Sequence, residues 1–474
     1  MEQPSSAISA DRDQALTGSI GVGHVVFFVV AAAAPLTSVV GASPAAFAFG
    51  NGVGVPGTYL LAGLLYLIFS VGFTAMSTRV RSTGGFFLYI SLGLGVPMGM
   101  GGALVSILTY MAMQLAVLAL AGVYIGHVAA GLGLILPWWA YAVAIMGVVM
   151  AVGRRQIEFS GNLLGICMLA EIAILLLLDL GILRHGGGPQ GIAFTGFAPA
   201  SVFVPGLGVS MVFVIGSFMG FEATALFAEE ARDPSRSIPR ATYLAVLLIM
   251  GFYAFSTWAI AQFYGPAHVT QAANAGLDSF FFRASDAILG SWATDTMRAL
   301  LIVSLFACAL SLHSSINRYL LALGRDGLLP RALGQIDARH GAPVIAGIAQ
   351  TISALVLVAW MALAHLDPYA VVFGWASAFA VLGILMVQLV VCLAIARYFH
   401  RRDERPSPLI WLFAPGLAGL GLLACIGAVI ANLPLLAGSD SPVIRTFPYA
   451  IALVWLLGVI RARRRKHATL RAFA

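Results

Sequence analysis

The chain is laid out as long apolar runs, one after another, separated by short polar breaks. A helix needs roughly 20 mainly apolar residues to cross roughly 30 Å of hydrocarbon. Twelve runs answer to that description: 21–49, 56–76, 98–121, 138–152, 159–183, 202–227, 241–264, 296–323, 344–364, 370–395, 409–433 and 447–459. With 60% of 474 residues hydrophobic and 9% charged, there is too little polar surface to cover a soluble globule, so lipid is the solvent for most of the chain. A closed barrel would need segments of about ten alternating residues, which are absent, so the expected fold is an all-α membrane protein.

The basic residues set an orientation. With the N-terminus inside, 22 of the 26 fall on one side, among them Arg79, Arg154, Arg236, Arg325, Arg402 and the tail Arg461 to Lys466; Arg184, Arg283, Arg298 and Arg445 fall outside. The positive-inside rule and an even number of spans then put both termini in the cytoplasm, and the first run is too long for a cleaved signal peptide. The excess charge of +7 is met by anionic lipid next to the basic tail, so no nucleic acid is expected as a partner. The expected location is the cell (plasma) membrane.

Several chemistries are missing. The one lysine is Lys466 in the tail, which rules out a GxxxxGK[ST] phosphate loop and with it P-loop ATP-driven pumping; no HExxH or GxSxG occurs either. Cys167, Cys308, Cys392 and Cys425 all lie in apolar runs without CxxC spacing, as small buried hydrophobes do. Gly50, Gly52 and Gly54 join two spans rather than a strand and a helix, which makes them a turn. No enzyme, cofactor or metal site is expected.

Breaks inside a span are informative, because freed backbone groups in lipid must face protein, water or a ligand. In the first run Pro35, Gly41 and Pro44 surround Thr37, Ser38 and Ser43; in the sixth, Gly216 and Gly220 surround Ser217 and the stretch ends in Glu222. These are matching members of two five-helix halves, the pattern of an inverted-repeat transporter with a midplane site. Gly216 and Gly220 also form a GxxxG pair, which by itself serves helix packing.

Gly220 to Ala241, GFEATALFAEEARDPSRSIPRA, resembles the sixth-helix signature of the amino acid-polyamine-organocation superfamily. INRYLLALGRDGLLPRAL, from Ile316, is similar to the end of that superfamily's eighth helix, and STGGFFLYISLGLG, from Ser82, to the stretch before its third. The first helix lacks the family's G-S-G-I-F; its nearest counterpart is Val39, Val40, Gly41 and Ala42. The resemblance implies a leucine-transporter-like fold with helices 1 to 5 (residues 21–183) and 6 to 10 (202–398) as inverted repeats. Helices 11 and 12 (408–460) stand outside the repeat, with tails at 1–20 and 461–474. It also implies a permease for amino acids, polyamines or similar amines.

A zwitterion in a dehydrated pocket suits the exposed ends of broken half-helices. The expected substrate contacts are the backbone of Val39, Val40, Gly41 and Ala42 and of Gly216, Ser217, Phe218, Met219 and Gly220. Phe218 occupies the position of a gate aromatic, and Tyr110 and Gln114 are one turn apart facing a vestibule, with Trp375 beyond. A mid-span carboxylate such as Glu222 is costly unless paired, protonated or wet, so it either meets the substrate or braces the turn. Glu171 falls where some proton-coupled relatives carry a lysine; it either carries the coupling proton or is structural. Ser311, Ser314 and Ser315 fall where sodium-coupled members of the wider fold place sodium, or else bond helix to helix. Glu229, Glu230, Arg232, Asp233, Arg236 and Arg240 cluster at the sixth helix's cytoplasmic mouth. The reading is a secondary transporter of an amino acid, proton-coupled or exchanging; the alternatives are a polyamine or organic-amine carrier, and a channel or sensor.

Overall fold

The computed structural model describes residues 22, 33–80, 85–154, 161–188, 190–222, 224, 233–337, 341–437 and 442–464. Among these residues every regular element is helical and no strand occurs. Through the first half run α1 (Thr37–Phe49), α2 (Val55–Ser77), α3 (Gly85–Leu94), α4 (Val96–Gly131), α5 (Trp138–Arg154), α6 (Gly161–Arg184) and α7 (Leu207–Phe218). There follow α8 (Pro234–Tyr264), α9 (Val269–Asn274), α10 (Phe280–Leu289), α11 (Ser291–Arg325), α12 (Val344–Leu363), α13 (Gly374–His400), α14 (Ala414–Ala437) and α15 (Phe447–Arg464). Eight helices among the described residues are long and apolar enough to cross a membrane, and α1, α3, α5 and α7 are apolar but shorter.

Each apolar run contains a helix, but the limits differ. The run at 98–121 continues to Gly131, and the run at 296–323 is the middle of Ser291–Arg325. Hydropathy marks what lipid contacts, whereas backbone hydrogen bonding carries a helix on through polar turns such as Thr294 to Arg298. Two short helices, α9 and α10, lie between the seventh and eighth runs, where none was expected; in α10, Phe280, Phe281 and Phe282 are buried while Arg283 and Asp286 face outward.

The bundle is built around α4, which packs against α11, α13 and α15, while α8 lies along α2. Residues Thr37 to Ala42 of α1 are all buried. The outer helices expose large apolar side chains, including Leu64, Leu177, Trp360 and Leu420. An apolar exterior around a buried, partly polar interior is what lipid solvent selects.

Both breaks are present. α7 ends at Phe218; Met219 is extended, Gly220 takes φ +110°, and a 3₁₀ turn carries Phe221 and Glu222. A side chain at that φ is strained, so Gly220 is what lets the chain leave α7 at this angle. In the first run the interruption is upstream of the Val39–Ala42 segment where it was expected. Ala34 stands at φ +46° ahead of Pro35, and Thr37 to Ala42 form a π-helical turn that is wound, not unwound. The cause is Pro35, which has no N–H to donate and bars its predecessor from α geometry.

The tail at 1–20, Glu229, Glu230, Arg232 and the tail beyond Arg464 lie outside the described residues. Of the expected charge cluster, Asp233, Arg236 and Arg240 are described; Arg240 is exposed on α8, and Asp233 and Arg236 pair at 3.8 Å on the surface, where such pairs contribute little.

Candidate functional site

A cavity of about 1020 Å³, its opening included, lies where the broken start of α1 meets the end of α7. Ala33, Thr37, Ser38 and Ala42 line it from the first segment, and Phe213, Gly216, Ser217, Met219, Gly220 and Glu222 from the sixth. Tyr110 and Met113 of α4, Ser311, Ser315 and Tyr319 of α11, and Phe73, Phe86 and Phe373 close the walls. The walls are aromatic and aliphatic, with hydroxyls at Thr37, Ser38, Ser217, Ser311 and Ser315 as the orienting groups, the usual division of labour in a small-molecule site. Ser377 adds a buried hydroxyl that meets no partner among the described residues.

Glu222 is the one charged side chain in this lining among the described residues, and both its oxygens are engaged. Tyr110 donates its hydroxyl to Oε1 at 2.5 Å, and the amide of Gly220 donates to Oε2 at 2.9 Å. The carboxylate therefore ties α4 to the turn that follows α7.

Glu171 lies on α6, outside the cavity lining. Its Oε2 accepts the amide of Leu36 at 3.2 Å and the hydroxyl of Ser304 on α11 at 2.8 Å. Thr37 Oγ1 donates to that same Ser304 hydroxyl at 3.1 Å. One carboxyl group thus holds the first amide after Pro35 and joins α6, the broken segment and α11. Ser304 was not singled out from sequence; its signal is only that it is a serine in an apolar run.

Other expected residues fall elsewhere. Phe218 is fully buried and stacks on Tyr66 with ring centroids 5.1 Å apart, away from the cavity, because the last turn of α7 points it at α2. Val39, Val40 and Gly41 do not line the cavity: their carbonyls accept from Ser43, Tyr124 and Tyr369 at 2.6, 3.5 and 2.5 Å. Ser314 is also absent from the lining, although Ser311 and Ser315 are present. Gln114 turns toward α11 and α12, donating to the carbonyl of Ala309 at 3.2 Å and accepting from Gln350, so the turn it shares with Tyr110 does not put both in one vestibule. Trp375 is half-buried outside the lining.

A bundle with an apolar exterior and a mainly apolar cavity, set with a few hydroxyls, between two interrupted helices belongs to the class of multi-pass membrane transporters. The chain is a member of the amino acid permease family, whose defining pattern matches residues 24–462. It is similar to the aromatic amino acid transport protein AroP of Escherichia coli K12, at 26% identity over 68% of this chain and 69% of that protein. It is likewise similar to the low-affinity putrescine importer PlaP of the same organism, at 22% identity over 86% and 87% of the two chains. The vacuolar cationic amino acid transporter 2 of Arabidopsis thaliana matches at 26% identity over 74% of this chain and 55% of its own.

Proposed function

We propose that the chain is a secondary active transporter of a neutral amino acid with a large apolar side chain, coupled to protons and working by alternating access in the plasma membrane. The observation that carries the substrate reading is the state of Glu222. With Oε1 taken by Tyr110 and Oε2 by Gly220, the cavity lining among the described residues offers no unengaged carboxylate to a dication, while its aromatic walls suit an apolar side chain. The rival amine reading draws support from the length of the match to PlaP, and needs Glu171 or Glu222 as counter-ion. Glu171 stands outside the lining and Glu222 is already braced, which favours the amino acid.

In this reading there are twelve spans, residues 21–183 and 202–398 are inverted repeats, 408–460 add two helices, and both termini are cytoplasmic. The substrate site is the cavity, with Tyr110, Gly216, Ser217, Met219 and Gly220 among its walls. Glu171 is the coupling group. It is shut from water, bonded to the broken segment and to α11, and a carboxyl group so placed exchanges a proton when rocking of the repeats changes its partners. Sodium at Ser311 and Ser315 is the weaker alternative, since Ser304 rather than these residues joins α11 to the break.

Glu171→Gln tests the coupling. In proteoliposomes it is expected to abolish accumulation driven by a pH gradient while sparing substrate counterflow, because exchange of bound substrate needs no net proton movement. Equal loss of both activities removes Glu171 from the coupling step.

A further inference from the structure

Helix α6 carries a second buried carboxyl group that the transport reading does not use. Asp179 is fully buried. Its Oδ2 accepts a 2.6 Å hydrogen bond from the hydroxyl of Ser256 on α8, and its Oδ1 is buried with no hydrogen-bond partner among the described residues. An ionised carboxylate inside an apolar bundle is held only when charges or several donors compensate it. Among the described residues one neutral hydroxyl is the whole compensation, the setting in which a carboxyl group keeps its proton.

Among the described residues no charge on the packed elements alters that. The elements packed on α6 are α8, α10 and α11. From α8 come Ser256 itself and, one turn earlier, the buried Tyr253. On α10, Arg283 is exposed and bonded to Ser279 and Ala275, and Asp286 is exposed. On α11, Asp295 and Arg298 are exposed and pair with each other at 3.3 Å. On α6, Arg184 is exposed at the helix end. None of the four ion pairs among the described residues includes Asp179.

The position of Asp179 connects it to the moving parts. It stands two turns beyond Glu171, about 12 Å along α6 by helical rise. Its partner helix α8 reaches the first break one turn before Ser256, where Tyr253 donates its hydroxyl to the carbonyl of Ala33 at 3.2 Å. Glu171 holds the amide of Leu36 at that same break. The Asp179–Ser256 bond therefore joins the helix that carries Glu171 to the helix that grips the broken segment.

We propose that Asp179 is a second proton-binding site: it holds a proton on Oδ1 while α8 is docked on α6 and releases it to water when that contact opens. On release the O–H electron pair stays on Oδ1, and the carboxylate is stabilised by the water that enters; on redocking the proton returns. The transport role rests on the proton-coupled reading above, but occupancy of the site does not.

Infrared difference spectra of the full chain in lipid vesicles, recorded across pH steps in H₂O and D₂O, test it. The expected result is a carboxylic acid C=O band that shifts down in D₂O, is lost in Asp179→Asn and is kept in Glu171→Gln. Ser256→Ala, which removes the donor to Oδ2, is expected to move the same band to higher frequency, and it decides the matter should Asp179→Asn not fold. Spectra of Asp179→Asn identical to those of the unchanged protein, a band that never exchanges in D₂O, or an unmoved band in Ser256→Ala overturns the proposal. Glu171→Gln with undiminished proton-driven uptake sinks the coupling role of Glu171 and leaves the Asp179 band as the separate question.

Discussion

Tyr110 and Glu222 lie 112 positions apart and meet at 2.5 Å. Tyr110→Phe leaves Oε1 without its donor, and a hydrogen bond to a charged group contributes about 1.5–3 kcal/mol. The turn that Glu222 braces then loosens, and substrate affinity is expected to fall roughly tenfold or more, read from ligand titrations of the melting temperature; an unchanged affinity contradicts the bracing role. Glu222 is legible in the sequence because a carboxylate in mid-span demands a reason. Its partner is less so: helical spacing puts Tyr110 and Gln114 on neighbouring turns, but only packing decides that one meets the cavity and the other Gln350. Phe218 illustrates the same limit, since a motif position does not say which way the last turn of a helix points. Asp179 is, like Glu171, an acid in the fifth apolar run, but the likeness to relatives that singles out Glu171 does not reach it.

At the scale of elements, the breaks are readable because Pro and Gly act through backbone chemistry that needs no tertiary context. Their placement is harder. A proline disturbs the residues before it, so the first break falls at Ala34 and Pro35 rather than at Val39 to Ala42. Helix docking is written in glycines whose partners the sequence does not name. A Cβ on Gly458 of α15 would lie 2.7 Å from the Cα of Gly101 on α4, so the two backbones touch. Gly458→Leu is expected to force α15 away from α4 at a cost of about 1–3 kcal/mol, as overpacking does, seen as a lower melting temperature in detergent. A variant that melts with the unchanged protein contradicts this contact.

For the whole molecule, apolar runs and the distribution of arginine suffice to predict a multi-pass helical protein, and the family match agrees with that reading. What composition does not reach is the chemistry of the cavity, because its walls are assembled from segments far apart in the chain, such as Phe73, Tyr110, Phe213, Tyr319 and Phe373. Among the described residues those walls leave no unengaged charge, and the proposed preference for a neutral amino acid with a large apolar side chain rests on them. A ligand that binds only the folded state raises apparent stability, and does so more the further its concentration exceeds Kd. The most direct measurement is therefore a thermal-shift screen of the purified protein against the twenty amino acids and the common diamines and polyamines. Amino acids with large apolar or aromatic side chains are expected to raise the melting temperature, with a smaller shift in Tyr110→Phe and none from diamines. Stabilisation by diamines alone would contradict that preference.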